Sequence, residues 1–159
     1  MDIVQSGDIE WADVEHGEAT FREKQLTEGT DAERLGCSLY ELPPGKSSWP
    51  HHYHLANEEA FYVLAGTGLV AGPDGDQAVE EGDYVTCPVG DAGAHRFVND
   101  GDVPLRFLAV STMNEPDVAV YPEMEKFGVY VSEDADGDDH AVRGMYRLGN
   151  RVDYWDDDA

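Results

Sequence analysis

Hydrophobic and β-branched residues in this chain fall into short runs, each bounded by glycine, proline or acidic residues. The runs are LGCSLYEL (35–42), EAFYVLA (59–65), QAVE (77–80), DYVTCPV (83–89), HRFVN (95–99), PLRFLAVST (104–112) and KFGVYVS (126–132). Between them stand PPG, GTG, GPDG, EEG, VGDAG and NDGD, all composed of residues that favour turns. Such runs predict strands, and their close succession predicts an all-β antiparallel sandwich or barrel rather than βαβ units. No long segment keeps a helical period. Residues 1–34 are polar, with scattered Trp11 and Phe21, and read as an irregular arm packing on a barrel that spans 35–132. Residues 133–159 read as an acidic C-terminal extension in which Tyr154 and Trp155 pack and the final DDDA frays.

Composition narrows the picture. A chain of 159 residues with 41% hydrophobic content is one ordinary domain able to bury a core. No apolar stretch approaches the roughly 20 residues of a membrane helix, which argues against a membrane partner. The opening MDIVQSGDIEWADVE lacks the apolar centre of an export signal, so a cytoplasmic location is expected. Cys37 and Cys87 each sit alone in a strand-like run and are expected to behave as small buried hydrophobes with reduced thiols.

Charge changes the picture more. There are 34 acidic against 10 basic side chains, for a formal charge of −24. Repulsion of this size opposes compaction at low ionic strength. At about 1 M salt the Debye length falls to roughly 3 Å, which removes most of the penalty. A halophilic setting with molar cytoplasmic salt is therefore expected, since the acids spread through residues 2–33 and 74–102 as well as the C-terminal extension. Duplex nucleic acid, which needs a basic face, is excluded as a natural partner.

The candidate chemistry lies in WPHHYHLANEEAFYVLAGTG (49–68). In an extended chain His52 and His54 share a face while Tyr53 points away. Glu59 opens the next strand on the face of Phe61 and Val63. A third imidazole, His95, lies in GDAGAHRFVN on the face of Phe97 and Asn99. Three imidazoles and one carboxylate suit a divalent transition metal such as Zn, Mn, Fe, Ni or Cu, bonded at roughly 2.0 to 2.2 Å. On a six-coordinate ion such a set leaves two positions open. His51 and Glu58 lie one residue out of register and are expected to face away; Asn99 is expected to be a hydrogen-bonder, and His16 and His140 to have no special role. GTGLVAG (66–72) mimics a dinucleotide fingerprint, but GPDG follows at once, so it reads as a hairpin. DADGDD (134–139) lacks the glycine and glutamate placement of a calcium loop and reads as a solvated acidic loop.

These residues resemble the two motifs of the cupin superfamily. The first motif has Gly, five residues, His-x-His, three or four residues, Glu, six residues, Gly. Here it is His52-Tyr53-His54, LANE, Glu59, AFYVLA, Gly66, with Gly45 standing six residues before His52 instead of five. The second has Gly, five residues, Pro-x-Gly, two residues, His, three residues, Asn. Here it is Gly82, DYVTC, Pro88-Val89-Gly90, DAGA, His95, RFV, Asn99, with four residues in place of two before His95. The resemblance covers residues 45–112. It implies a double-stranded β-helix (jelly-roll) barrel and metal ligation by His52, His54, Glu59 and His95.

Two functions follow as expectations. One is a metal-dependent enzyme of oxygenase, isomerase or lyase type acting on a small molecule. The other is a non-catalytic cupin that binds or stores a small ligand. No catalytic group beyond the ligands is singled out: Tyr40, Tyr62 and Tyr84 are candidate acids or bases with an equally good core reading. The family also implies a homodimer formed through outer strand faces, here those carrying Tyr62 and Leu64.

Overall fold

In the computed structural model, residues 1–131 and 142–155 are described; Ser132, DADGDD, His140 and the DDDA tail lie outside them. Thirteen strands run in chain order: β1 (Ala12–His16), β2 (Ala19–Gln25), β3 (Leu35–Leu42), β4 (Tyr53–His54), β5 (Glu59–Ala65), β6 (Thr67–Gly72), β7 (Gly75–Glu80), β8 (Tyr84–Cys87), β9 (Arg96–Val98), β10 (Leu105–Thr112), β11 (Asp117–Tyr121), β12 (Lys126–Tyr130) and β13 (Gly144–Arg147). Helical structure among the described residues is limited to 3-10 turns of three residues. The strands form sheets ordered β1-β2-β3-β10-β5-β8, β13-β12-β11-β4 and β7-β6-β9. Every strand pair is antiparallel.

Alternation along β5 explains the layering. Phe61 and Val63 are buried, while Tyr62 and Leu64 are exposed on the outer face. Register extends the inner face across the sheet, so that Phe107 of β10 lies opposite Val63 and Tyr40 of β3 lies opposite Phe107. Phe97 of β9 packs against Phe61 at 4.7 Å and Phe107 at 4.4 Å between ring centroids, which closes the core between the six-stranded and three-stranded sheets. Leu42, Leu105, Val70 and Val79 complete it.

Four regions differ from the expectation; one is the C-terminal extension, where Gly144–Arg147 pairs with β12 as β13 and Tyr154 and Trp155 stand exposed instead of packed. The N-terminal arm, expected to be irregular, contributes the hairpin β1–β2 to the large sheet. Its residues are polar because the outer face of β2 is held by charge rather than by apolar burial. Arg22 and Lys24 lie over the Trp11 ring at 4.6 and 4.8 Å, and Arg22 pairs with Glu41 at 2.6 Å. Residues 67–72, outside the expected strand runs, form β6; it turns at GPDG into β7 as the hairpin expected there, and Leu69 and Val70 also pair with Val98 and Phe97 of β9. Residues 117–121, which carried no turn-bounded apolar run, form β11 by pairing with β12 and β4.

Candidate metal centre

The centre is assembled by backbone pairing before any side chain is considered. His52 and His95 are antiparallel bridge partners, with His95 N–H donating to the His52 carbonyl at 2.9 Å and His52 N–H to the His95 carbonyl at 3.2 Å. His54 lies in β4, held against Ala119 of β11. Glu59 opens β5, opposite Ser111 of β10 on one side and Cys87 of β8 on the other. Donor atoms of His52, His54 and Glu59 lie within 4.8 Å of one another. His95 joins them through Nε2, which stands 3.4 Å from Glu59 Oε2, while His54 Nε2 stands 3.5 Å from the same oxygen.

Each imidazole is oriented from behind through Nδ1. His52 Nδ1 lies 2.8 Å from the Pro50 carbonyl, His95 Nδ1 2.9 Å from the Gly93 carbonyl, and His54 Nδ1 2.5 Å from Asp117 Oδ2. All three partners are acceptors, so each Nδ1 carries a proton, and in a neutral ring Nε2 then presents a lone pair. The fourth group, Glu59 Oε2, is buried and has no hydrogen-bond donor among the described residues. Three of these groups, His52, His54 and Glu59, thus cluster, and His95 Nε2 stands beside the same Glu59 oxygen. Such a donor set could hold a borderline divalent metal.

Protonation is suppressed by the surroundings. Burial, then the neighbouring His95 and His54, lowers the His52 pKa to about 3. Burial also lowers that of His95, against the opposing pull of Glu59. Both rings are therefore neutral and able to ligate near neutral pH. Tyr121 stacks on His52 with 5.4 Å between ring centroids and 19° between planes, fixing that ring from its other side. Cys87 is opposite Glu59, but burial and then the Glu59 charge push its thiol up to about 12, so it stays protonated.

The two extra residues in the second motif have a use. DAGA forms a 3-10 turn, Asp91–Gly93, whose Gly93 carbonyl orients His95. Gly90, at φ +84°, donates its N–H to the His54 carbonyl at 2.7 Å, so one turn is tied to the His95 ring and to the His54 backbone. A side chain at Gly93 would meet the Pro88 carbonyl oxygen at 1.8 Å, so only glycine lets this turn close.

Sequence reading missed Asp117. Its Oδ1 accepts the Ala56 N–H at 2.9 Å while its Oδ2 holds His54. Burial works against its ionisation, but the His54 contacts and the Ala56 N–H outweigh it and hold the carboxyl below its ordinary range. One acid among 34, far along the chain from the histidines, carried no spacing signal. Asn99 is fully buried and bonded to the Leu42 and Val103 carbonyls and the Gly101 N–H, a structural role. Tyr62 and Tyr84, considered as possible acids or core residues, are instead exposed on the outer face; Tyr40 alone of the three faces inward.

Comparison with known proteins agrees with this fold. Residues 38–111 match the cupin domain family. A structure from Acidithiobacillus ferrooxidans, given a provisional sugar phosphate isomerase assignment, is 27% identical with a TM-score of 0.77 over 92% of this chain and 90% of that one. A cupin-superfamily sugar phosphate isomerase from Silicibacter pomeroyi is 25% identical with a TM-score of 0.76 over 94% of each chain. The polyketide cyclase of Streptomyces resistomycificus is 27% identical with a TM-score of 0.63 over 74% of this chain and 83% of that one. An uncharacterised protein of Methanocaldococcus jannaschii is 35% identical over 60 residues, so the match spans 38% of this chain and less than half, 46%, of that relative.

Proposed function

This chain belongs to the cupin superfamily, and on that premise we propose that it is a metal-dependent enzyme converting a small molecule at an ion held by His52, His54, Glu59 and His95. The observation that carries the proposal is the buried Glu59 Oε2, left without a hydrogen-bond partner between the Nε2 atoms of His54 and His95. A bound divalent ion would polarise a carbonyl or hydroxyl of the substrate, or bind O₂ if redox-active. The chain supplies the rest. Glu59 offsets part of the ion's charge, and Asp117 fixes the orientation of His54 and raises its basicity. Phe61 packs against His95 at a tilt, and Tyr121 stacks on His52, so both rings hold apolar surface beside the centre. An isomerase or lyase acting on a hydroxy-carbonyl compound is the reading closest to the similar structures.

A non-catalytic binding role is favoured by one observation. Both phenols beside the centre are poor acids: burial and then the Glu23 charge raise the pKa of Tyr40, and burial and then the Tyr130 hydrogen bond raise that of Tyr121. Elemental analysis of protein purified in molar salt without an affinity tag decides the metal question. The wild type is expected to carry close to one equivalent of a transition metal, and the His52→Ala, His95→Ala double variant almost none. Equal metal content in the two would end the ligand assignment. Turnover of any hydroxy-carbonyl substrate by the loaded wild type then separates enzyme from binder. The proposal also includes a homodimer through the exposed faces of Tyr62 and Leu64; sedimentation in molar salt should show twice the chain mass.

A further inference from the structure

The inner face of the large sheet continues past Glu59 into a cavity of about 250 Å³. Its walls include Gln25 of β2, Ser38 of β3, Ser111 of β10, Tyr40 and Met113. Gln25 and Ser38 are directly opposite one another, and Ser38 is opposite Ala109 of β10. β2 lies three strand spacings from β5, roughly 14 Å along the sheet. A ligand with one end at the metal centre would therefore place its other end against the Gln25 amide and the Ser38 hydroxyl. Neither group is hydrogen-bonded within the described residues, so both are available as donors and acceptors.

The charges around this cavity are of one sign. No lysine or arginine lines it, and Glu59 is its single charged wall. A second carboxylate, Glu23, lies just behind the wall, hydrogen-bonded to Tyr40. The basic residues of β2 and β10 are all committed to the outer face. Arg22 and Arg106 pair with Glu41, and Lys24 donates to the Ser6 carbonyl at 2.6 Å beneath Trp11. Arg143 lines a different cavity, reached across Ser111 and Met113, where it is accompanied by Asp117 and Glu115. A phosphate at the Gln25–Ser38 end would meet no cation while facing carboxylates, and an unpaired anion out of water is costly.

We propose that the substrate of this centre is an uncharged small polyhydroxy-carbonyl compound, such as an unphosphorylated sugar, whose hydroxyls are read by Gln25 and Ser38. This deepens the metal-centre reading and rests on it. It separates the chain from a sugar phosphate isomerase, the description two similar structures carry. Such a ligand gives the amide and hydroxyl partners they lack, and its carbon skeleton can lie on Met113 and Ala109.

The test uses matched pairs, D-ribose with D-ribose 5-phosphate and D-fructose with D-fructose 6-phosphate, titrated into cobalt-loaded full chain in molar salt. Binding is read from the cobalt visible spectrum and, separately, from the melting temperature. The neutral member of at least one pair is expected to bind about tenfold more tightly than its phosphate ester. Gln25→Ala and Ser38→Ala are each expected to weaken the neutral ligand about fivefold to tenfold with metal content unchanged. Tighter or equal binding of the phosphate esters, no binding by either neutral compound, or indifference to both substitutions would overturn the inference. A wild type that takes up no cobalt fails the metal reading instead, and metal content on the same samples tells the two failures apart.

Discussion

β5 shows two ends of the same inner face with opposite physical character. At Phe61 and Val63 the face is apolar and closed, with Val63 fully buried and Phe61 locked among Phe97, Phe107 and the His95 ring. Two residues earlier, at Glu59, the same face meets the His54 and His95 rings and carries a buried carboxylate oxygen with no hydrogen-bond partner among the described residues. The first end contributes folding free energy and holds position; the second keeps four mutually repelling groups together because the first end is rigid. Chemistry here sits on a foundation it weakens, as expected where polar groups await a ligand.

If the two ends divide stability and binding in this way, substitutions should separate them. Phe97→Ala should lose about 3 to 5 kcal/mol of stability by opening the aromatic core, read by denaturant unfolding. Its metal affinity, measured under conditions where it remains folded, should change little. A Phe97→Ala protein that stays folded yet loses its metal would break the division.

Asp117→Asn should act the other way. Asparagine can still accept from His54 Nδ1 or from the Ala56 N–H, but it lacks the charge and the second acceptor oxygen. Metal affinity should fall by about 10- to 100-fold in a chelator competition, with a much smaller change in the unfolding midpoint.

pH sharpens the contrast in metal-free protein. His52 has a folded-state pKa of about 3, below the unfolded value near 6.5, and His95 is lowered as well. The unfolded chain therefore binds more protons in that interval, so the stability is present above about pH 6.5 and is lost as pH falls toward 3. Each such histidine adds a slope of about 1.4 kcal/mol per pH unit within its interval. Metal loading should move the acid transition lower, and an identical transition with and without metal would argue that these rings are not ligands.

Glu59→Gln should give the smallest and most telling effect. A carboxamide can donate to a waiting imidazole Nε2, so metal-free protein should gain about 1 kcal/mol while metal binding collapses. Loss of stability on this substitution would mean that Glu59 already has the partner that the structure denies it.

The sequence made the strands of the barrel and the four inward groups legible for a reason that is local. His52, His54, Glu59 and His95 announce themselves through fixed spacing and the period of two along extended chain. Asp117 could not be found that way, since it reaches His54 only because β11 pairs with β4. The β1–β2 hairpin escaped notice because Arg22, Lys24 and Trp11 hold it by ring and ion contacts that leave no apolar alternation. Gln25 and Ser38 were invisible for both reasons, being ordinary polar residues whose meaning depends on the strands beside them.

The reciprocal bonds between the backbones of positions 52 and 95 have a consequence for how the chain matures. These two residues close a seam of the barrel, and their rings project into the same pocket, so shutting the seam and forming the pocket are one event. An ion seated there would act as a buckle, and nascent chains that meet it early should be harder for proteases to reopen than those that do not.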